Sequence, residues 1–265
     1  MVKKKPLCQS AAMAQDETRL GESSMTGWKS ISQDPNAPAV LAERRRILAS
    51  ARKPILIDDR CQYIARQASG KRVLDVGVVE HFAEASQRDD WLHEHVRRAA
   101  SSCLGVDILE DGVRDLRERG YNVICADVAQ ASLNEIFDLI VMGEIVEHVV
   151  NPGALMKNAA LMLAEGGRLL LTTPNPWYLN PILKNVFEGQ PFTDSADHVT
   201  WFDPSTLAEI GHRAGLTLDC YAGIKVQHSG SALSKLALRL APALISLGIR
   251  RELFAKSMLY EFVRA

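Results

Sequence analysis

From residue 71 onward, the chain alternates short apolar runs with segments whose apolar residues recur at helical spacing. The apolar runs lack the apolar–polar alternation of a half-exposed strand, which is typical of parallel strands covered by helices on both faces. Strands that alternate with helices favour right-handed βαβ crossovers, so the pattern predicts an α/β fold with a doubly wound, mostly parallel sheet. The predicted strands are 72–76, 103–107, 123–126, 137–142, 168–172, 216–224 and 258–263.

The first seventy residues have a different pattern. Residues 1–35 are polar with little apolar periodicity, which predicts a disordered tail. Within residues 36–70, helical spacing predicts two N-terminal helices, at 38–52 and 55–68. The sheet domain then extends from residue 71 to residue 265.

Two segments interrupt the later strands. Prolines break the pattern over 174–202, and a loop-rich excursion of this length is typically functional, which places it on the substrate side. Residues 231–253 carry leucines on one helical stripe and basic residues on another, which predicts an inserted amphipathic helix. This helix is either a lid or dimer face, or a surface (232–250) that contacts an anionic membrane or a lipid-linked substrate.

Composition narrows the class of protein. The formal charge is −1 over 265 residues, so no basic field is available for binding nucleic acid. The five cysteines form no CxxC pair, which argues against a disulfide framework or structural zinc. With no signal-peptide pattern and no bilayer-length apolar run, the sequence predicts a cytoplasmic protein.

Carboxylates end two neighbouring predicted strands. Asp75 is followed by Gly77 after the first strand, and Asp107 ends the second. Open α/β sheets bind ligands at the carboxyl ends of their parallel strands. Gly77 would let the backbone approach a ligand, and Asp107 could accept hydrogen bonds from a pair of ribose hydroxyls. The sequence therefore predicts a cofactor that contains a nucleoside.

Five segments, in this order and at these spacings, resemble the class I S-adenosylmethionine-dependent methyltransferases, closest to the small-molecule, ubiquinone-biosynthesis type. The resemblance covers about residues 55–265. It implies a Rossmann-like, seven-stranded sheet with an antiparallel last strand, S-adenosylmethionine as cofactor and a small-molecule acceptor. The segments are Val73-Leu74-Asp75-Val76-Gly77, Asp107, Cys125-Ala126-Asp127-Val128, the run from Phe137 to Glu144 and the run from Gly166 to Asn175.

The resemblance also implies a set of cofactor contacts. It places the methionine part near Asp75 and Gly77, the ribose hydroxyls on Asp107, the adenine amino group on Asp127 with Val128 beside it, and the sulfonium near Met142 and Gly143. Asp107 and Asp127 could instead be ordinary turn-forming aspartates at strand ends.

The cofactor loop departs from the family pattern D-x-G-x-G-x-G. Val79 and His81 occupy the positions of the later glycines. A β-branched residue resists positive φ and brings a side chain where bare backbone is expected. Three outcomes stay open: a different loop path, weaker cofactor binding, or a catalytically degenerate binding or scaffold protein.

Carboxylates and imidazoles follow the predicted fourth strand. Glu144, Glu147 and His148 have the spacing i, i+3 and i+4, which places them on one face if the segment is helical, and His198 lies at the end of the excursion. The E-x-x-E-H run is similar to one in ubiquinone-pathway O-methyltransferases and small-RNA 2′-O-methyltransferases, where it holds a metal. Mg²⁺, Mn²⁺ or Zn²⁺ at these four residues would lower the pKa of an acceptor hydroxyl.

Two alternatives to the metal site remain. His148 or His198 could act as a plain general base without a metal. Glu144 and Glu147 could instead form a solvated helix start, with His148 packed in the helix. His93 and His95, two positions apart on a predicted helix, are interpreted as surface histidines.

Overall fold

The computed structural model describes residues 27–80, 89–188, 195–225 and 232–264. Most of the predicted tail and His81 lie outside the described residues. Trp28 belongs to a short 3₁₀ turn, and its indole Nε1 donates a hydrogen bond to Glu209 Oε1 at 3.3 Å. The chain is therefore tied to the domain from Trp28 onward.

The described residues form an eight-stranded sheet with the order β1-β7-β8-β6-β5-β2-β3-β4. All neighbours pair in parallel except β8, which is antiparallel to both β6 and β7. The predicted doubly wound sheet with an antiparallel last strand is confirmed, with one strand more than predicted. The strands are β1 Arg52–Ile57, β2 Arg72–Val76, β3 Ser102–Asp107, β4 Val123–Cys125, β5 Phe137–Gly143, β6 Leu163–Pro174, β7 Leu216–Lys225 and β8 Ala255–Arg264.

The additional strand is β1, at the edge of the sheet. Its residues overlap the helix predicted at 55–68, so that helix boundary is wrong. Pro54 lacks a donor N–H and is tolerated on an edge strand, and β1 pairs with β7. The helix begins only at Arg60, where the Asp59 side chain accepts a hydrogen bond from Gln62 N. The pairing of β1 with β7 therefore decided the structure of Arg52–Ile57, although the apolar spacing from residue 55 is helical.

Eight α-helices are described. Most of them contact the strands of the sheet, and one lies inside the excursion that was predicted to be loop-rich. None of the helices in the described ranges is both long and apolar enough to cross a membrane. The helices are α1 Pro38–Ala51, α2 Arg60–Ala68, α3 Leu92–Ala99, α4 Glu110–Glu118, α5 Pro152–Met162, α6 Leu179–Glu188, α7 Pro204–Arg213 and α8 Ala232–Ser246.

Strand β5 shows why the apolar runs lack alternation. Ile140 and Met142 belong to one core cluster, whereas Leu139 and Val141 belong to another. All four side chains are fully buried. Because helices cover both faces of the sheet, the consecutive positions 139–142 of this central strand are all apolar. The polar residues that follow the parallel strands therefore collect at one edge, where their carboxyl ends meet.

Candidate active site

A cavity of about 480 Å³ lies at the carboxyl ends of β2, β3 and β4. Its walls come from the residues that follow these strands, from the segment after β5 and from the start of α5. The residues predicted from sequence that line it are Gly77, Asp107, Asp127, Val128 and His148. Strands that are distant along the chain thus bring four of the seven predicted cofactor contacts into one cavity.

The two strand-end aspartates are held by hydrogen bonds from backbone N–H groups. Asp107 Oδ1 accepts from Leu109 N at 3.0 Å, and Asp107 Oδ2 accepts from Val79 N at 2.9 Å. Asp127 Oδ1 accepts from Ala129 N at 2.9 Å. Each is thus a turn-forming aspartate and also lines the cavity, so the two interpretations of the sequence are compatible.

Three predicted cofactor contacts do not line the cavity. Asp75 is buried, and its Oδ2 lies 2.8 Å from His93 Nδ1. His93 is therefore a buried partner of Asp75, and the prediction that it is a surface histidine is wrong. Met142 is fully buried in the core. Gly143 lies against the α3 side, where an added Cβ would come within 2.7 Å of Leu92 Cδ2.

The cofactor loop takes a path that accommodates its missing glycine. Gly77 has a φ of +82°, and a Cβ there would overlap the Ile145 side chain, so glycine is required at this position. The Val79 methyl groups instead lie against Gly112 of α4. Val79 is not one of the described residues that line the cavity. Val79 thus packs away from the cavity.

Glu147, His148 and His198 form a compact cluster beside the cavity. Each offers one ligand atom, and these atoms lie within 4.8 Å of one another. Glu147 is buried, whereas His148 and His198 are partly exposed. The donor set of one carboxylate and two imidazoles suits Zn²⁺ or Mn²⁺ better than Mg²⁺.

The end of the excursion is bound to the segment after β5. Val199 N donates to the Glu147 carbonyl oxygen at 2.9 Å, which brings His198 beside His148 with ring centroids 4.7 Å apart. His148 Nδ1 lies 3.0 Å from Asp197 Oδ2. The excursion therefore supplies both the second histidine and the carboxylate that orients the first.

Glu144 is separate from this cluster. The expected single helical face does not form, because only Val146–His148 is helical, as a 3₁₀ turn. Glu144 precedes it with a φ of 58°, the only positive φ of a non-glycine residue among the described residues. Its Oε1 lies 3.7 Å from Arg60 Nη1. The sequence offered no sign of Arg60, because α2 is remote along the chain.

Burial changes the ionisation of Glu147. In the described part of the chain, neither of its carboxylate oxygens has a hydrogen-bond partner of ordinary distance and angle. Burial, and secondly the charge of Glu144, raise the pKa of Glu147 to about 8, while weaker contacts with its own backbone and the Thr173 side chain, and the Arg60 charge, act in the opposite direction. A buried carboxylate without partners can be stabilised by a proton or by a bound cation.

Three cysteines are buried in the described residues. Cys61, Cys103 and Cys220 are free thiols there.

Comparison with known proteins gives consistent results. A family model described as a methyltransferase domain matches residues 43–221. A ubiquinone biosynthesis O-methyltransferase of Coxiella burnetii (strain Dugway 5J108-111) is 28% identical over 179 residues, which cover 62% of this chain and 72% of the relative.

Two solved structures share the fold. An S-adenosylmethionine-dependent methyltransferase from Archaeoglobus fulgidus has a TM-score of 0.50 at 19% identity, covering 76% of this chain and 89% of its own. Another, from Clostridium acetobutylicum ATCC 824, has a TM-score of 0.51 at 11% identity, and the match covers 79% of this chain and 93% of the other.

Proposed function

The chain belongs to the class I S-adenosylmethionine-dependent methyltransferases, and from this premise we propose that it methylates a hydroxyl group of a small molecule. One observation carries the proposal. His148 lines the cavity that contains the strand-end aspartates, and it also belongs to the cluster with Glu147 and His198. This position supports a role for His148 as the proton acceptor between the cofactor and the methyl acceptor.

The lining of the cavity supports a position there for the adenosyl part of the cofactor. We assign the ribose hydroxyls to Asp107 and the adenine amino group to Asp127, because both line the cavity and have fixed side chains. Gly77 and Val128 complete its walls. Bound S-adenosylmethionine supplies an activated methyl group, and the protein must align an acceptor oxygen with it.

His148 suits the role of general base. A neutral hydroxyl is a poor nucleophile, and removal of its proton during attack increases the rate. The 3.0 Å contact between Nδ1 and Asp197 Oδ2 fixes the ring and stabilises it once it is protonated. The proton would then be received at Nε2.

A divalent cation fits the same cluster. Glu147, His148 and His198 would hold it, and its charge would lower the pKa of an acceptor hydroxyl beside it. The unpartnered oxygens of Glu147 favour this version, because a cation would satisfy them. In the metal-free version, a proton on Glu147 does so, and His148 alone is the base.

The surroundings favour a ring-bearing or apolar acceptor. Trp201 is 42% exposed, and its ring centroid lies 6.1 Å from that of His198. Val199 beside it is also exposed. Flat apolar surfaces next to a polar cluster suit hydroxylated aromatic molecules. The relative from Coxiella burnetii is named for an O-methylation in ubiquinone biosynthesis, which agrees with this class of acceptor.

The alternative of a degenerate scaffold protein depended on the loop residues Val79 and His81. Val79 packs against Gly112 and does not line the cavity, so one of the two residues that suggested a degenerate protein no longer supports that alternative. His81 lies outside the described residues.

The proposal is tested with labelled S-adenosylmethionine and paired aromatic acceptors that carry either a hydroxyl or an amine. We expect transfer to the hydroxyl only, and a loss of at least about a hundredfold in the His148→Ala variant. His212→Ala, on the exposed surface of α7, is the matched control and should keep full activity. Transfer to the amine alone would contradict the proposal.

The metal is tested separately with a chelator. If the cluster holds a metal, the chelated enzyme loses turnover and Zn²⁺ or Mn²⁺ restores it, except in the Glu147→Gln variant. Unchanged turnover after exhaustive chelation would contradict the metal site and favour the version in which His148 acts as the base without a metal.

Membrane contact through residues 232–250 stays a prediction. Within its described side chains, Leu240, Leu247 and Ile249 are exposed. Flotation with anionic vesicles at low salt measures it, and no binding there would exclude it.

A further inference from the structure

Gly112 lies in the first turn of α4, where the helix gains nothing from a glycine. Alanine is the better helix former, and Gly112 is not among the glycines with positive φ. Its role must therefore come from the space that it leaves. A Cβ at Gly112 would overlap Cγ1 of Val79 and lie 3.0 Å from Cγ2. Gly112 is thus the position that accepts the Val79 side chain.

Val79 also contacts the proposed ribose ligand. Its backbone N–H donates to Asp107 Oδ2 at 2.9 Å. The other carboxylate oxygen, Oδ1, accepts from Leu109 N at 3.0 Å. Leu109 is the N-cap of α4, three residues before Gly112. Asp107 is therefore held between the cofactor loop on one side and the start of α4 on the other.

The loop is anchored on its other side as well. Val78 is buried in a small cluster with Trp91 and Val113, and Trp91 Nε1 donates to the Val78 carbonyl oxygen at 3.2 Å. Val113 is the neighbour of Gly112 in α4. The loop and α4 thus pack together through consecutive residues, and the distance between them sets the geometry at Asp107.

We propose that Val79 and Gly112 form a complementary pair that positions the Asp107 carboxylate for the ribose hydroxyls. The small residue that the family pattern places in the loop is here placed in the facing helix. Val79 and Gly112 are positioning residues, because they act through Asp107. The inference rests on the proposed assignment of Asp107 to the ribose.

The test is a double-mutant cycle with Gly112→Ala and Val79→Ala. Calorimetry measures the affinity of each variant for S-adenosylhomocysteine and for its 2′-deoxy analogue. Val79→Ala removes the two methyl groups that the Cβ of Gly112→Ala would overlap. The Cβ of residue 79 then lies 3.2 Å from the Cβ added at residue 112, a distance that a small shift accommodates. Thermal unfolding without ligand shows whether each variant is folded.

We expect Gly112→Ala to weaken S-adenosylhomocysteine binding by about tenfold, because the overlap displaces the loop. In the Val79→Ala background, the same change should cost no more than about twofold. The preference for ribose over 2′-deoxyribose should shrink in Gly112→Ala. Asp115→Ala, at an exposed position of the same helix, is the control, and it should bind normally.

Two results separate the possible failures. If Asp107→Ala binds S-adenosylhomocysteine as tightly as the unmodified protein, the ribose assignment itself is wrong. If Asp107→Ala loses affinity while Gly112→Ala does not, only the Val79–Gly112 pair is refuted. An equal loss from Gly112→Ala in both Val79 backgrounds also refutes the pair.

Discussion

Two buried glutamates, one after β5 and one in β8, have opposite environments. Glu147, after β5, is 1% exposed, and within the described residues its carboxylate oxygens have no hydrogen-bond partner. Glu261, in β8, is 3% exposed, but Lys53 Nζ lies 3.1 Å from its Oε1 and Arg168 Nη1 lies 3.0 Å from its Oε2. Tyr63 donates a further hydrogen bond to Oε1 at 2.5 Å.

The partners decide the ionisation of each carboxyl. Burial raises the pKa of Glu147 to about 8, and the nearby Glu144 charge adds to that rise. Burial alone would also raise the pKa of Glu261, but hydrogen bonds from Tyr63 and Lys53 together with the Lys53 charge lower it. Both residues meet the distance criterion for a metal cluster, Glu261 together with Asp219 and Cys220. Lys53 and Arg168 already neutralise Glu261. Of these two glutamates, Glu147 is therefore the one that a bound cation would stabilise.

The largest expected effect is on the partnered carboxylate. Glu261→Gln leaves Lys53 and Arg168 without their buried counter-charge and should destabilise the fold by about 3 kcal/mol, at the lower end for a broken buried pair because both cations are partly exposed. Urea denaturation at pH 7 measures it. The control is Asp219→Asn, which removes the exposed partner of Arg168 and should cost less than about 1 kcal/mol. Equal losses would show that burial of the partner is irrelevant.

The unpartnered carboxylate should respond with the opposite sign. Because the folded pKa of Glu147 is raised, its ionisation opposes folding as the pH rises from its ordinary value of 4.5 to about 8. Glu147→Gln should therefore stabilise the chelated protein by at least about 2 kcal/mol at pH 8.5, but by less than about 1 kcal/mol at pH 5.

The pH windows separate the two glutamates. The stability contributed by Glu261 is present above its ordinary pKa and is lost as the pH falls through the lowered folded value. Urea titrations of both variants between pH 3 and pH 9 check this difference. A Glu147→Gln variant that is less stable at pH 8.5 would mean that the carboxylate has favourable partners after all.

The smallest effect concerns the backbone next to Glu147. Glu144 has a φ of 58°, which L-residues avoid. Glu144→Gly relieves this strain, whereas Glu144→Ala keeps it, and both remove the like charge beside Glu147. After allowance for the greater freedom of unfolded glycine, we expect the glycine variant to be more stable by about 0.5–1 kcal/mol.

A matched pair in an ordinary helix should reverse this order. Asp115 is exposed in α4, and there Asp115→Gly should be less stable than Asp115→Ala by about 0.5–1 kcal/mol. Chemical denaturation of the four variants gives both differences. The same order at both positions would show that Glu144 is not strained.

The sequence predicted the elements best where the signal is local. The apolar runs of β2, β3 and β5 and the aspartates that end or follow the strands were all predicted, because burial on both faces leaves a continuous run in the sequence. The helix predicted at 55–68 was misplaced, since apolar spacing cannot show that Arg52–Ile57 will find β7 as a partner. His93 was misinterpreted for the same reason: its partner, Asp75, lies on another element.

The sequence by itself determined seven of the eight strands, the family and the strand-end carboxylates, because each follows from a short pattern of apolar and polar residues. The tertiary structure decided which of these side chains are partnered. The contacts of Arg60 with Glu144, Asp197 with His148 and Val79 with Gly112 join segments far apart along the chain. Such contacts, which fix ionisation and geometry at the site, depend on the distances between packed elements and leave no periodic pattern in the sequence.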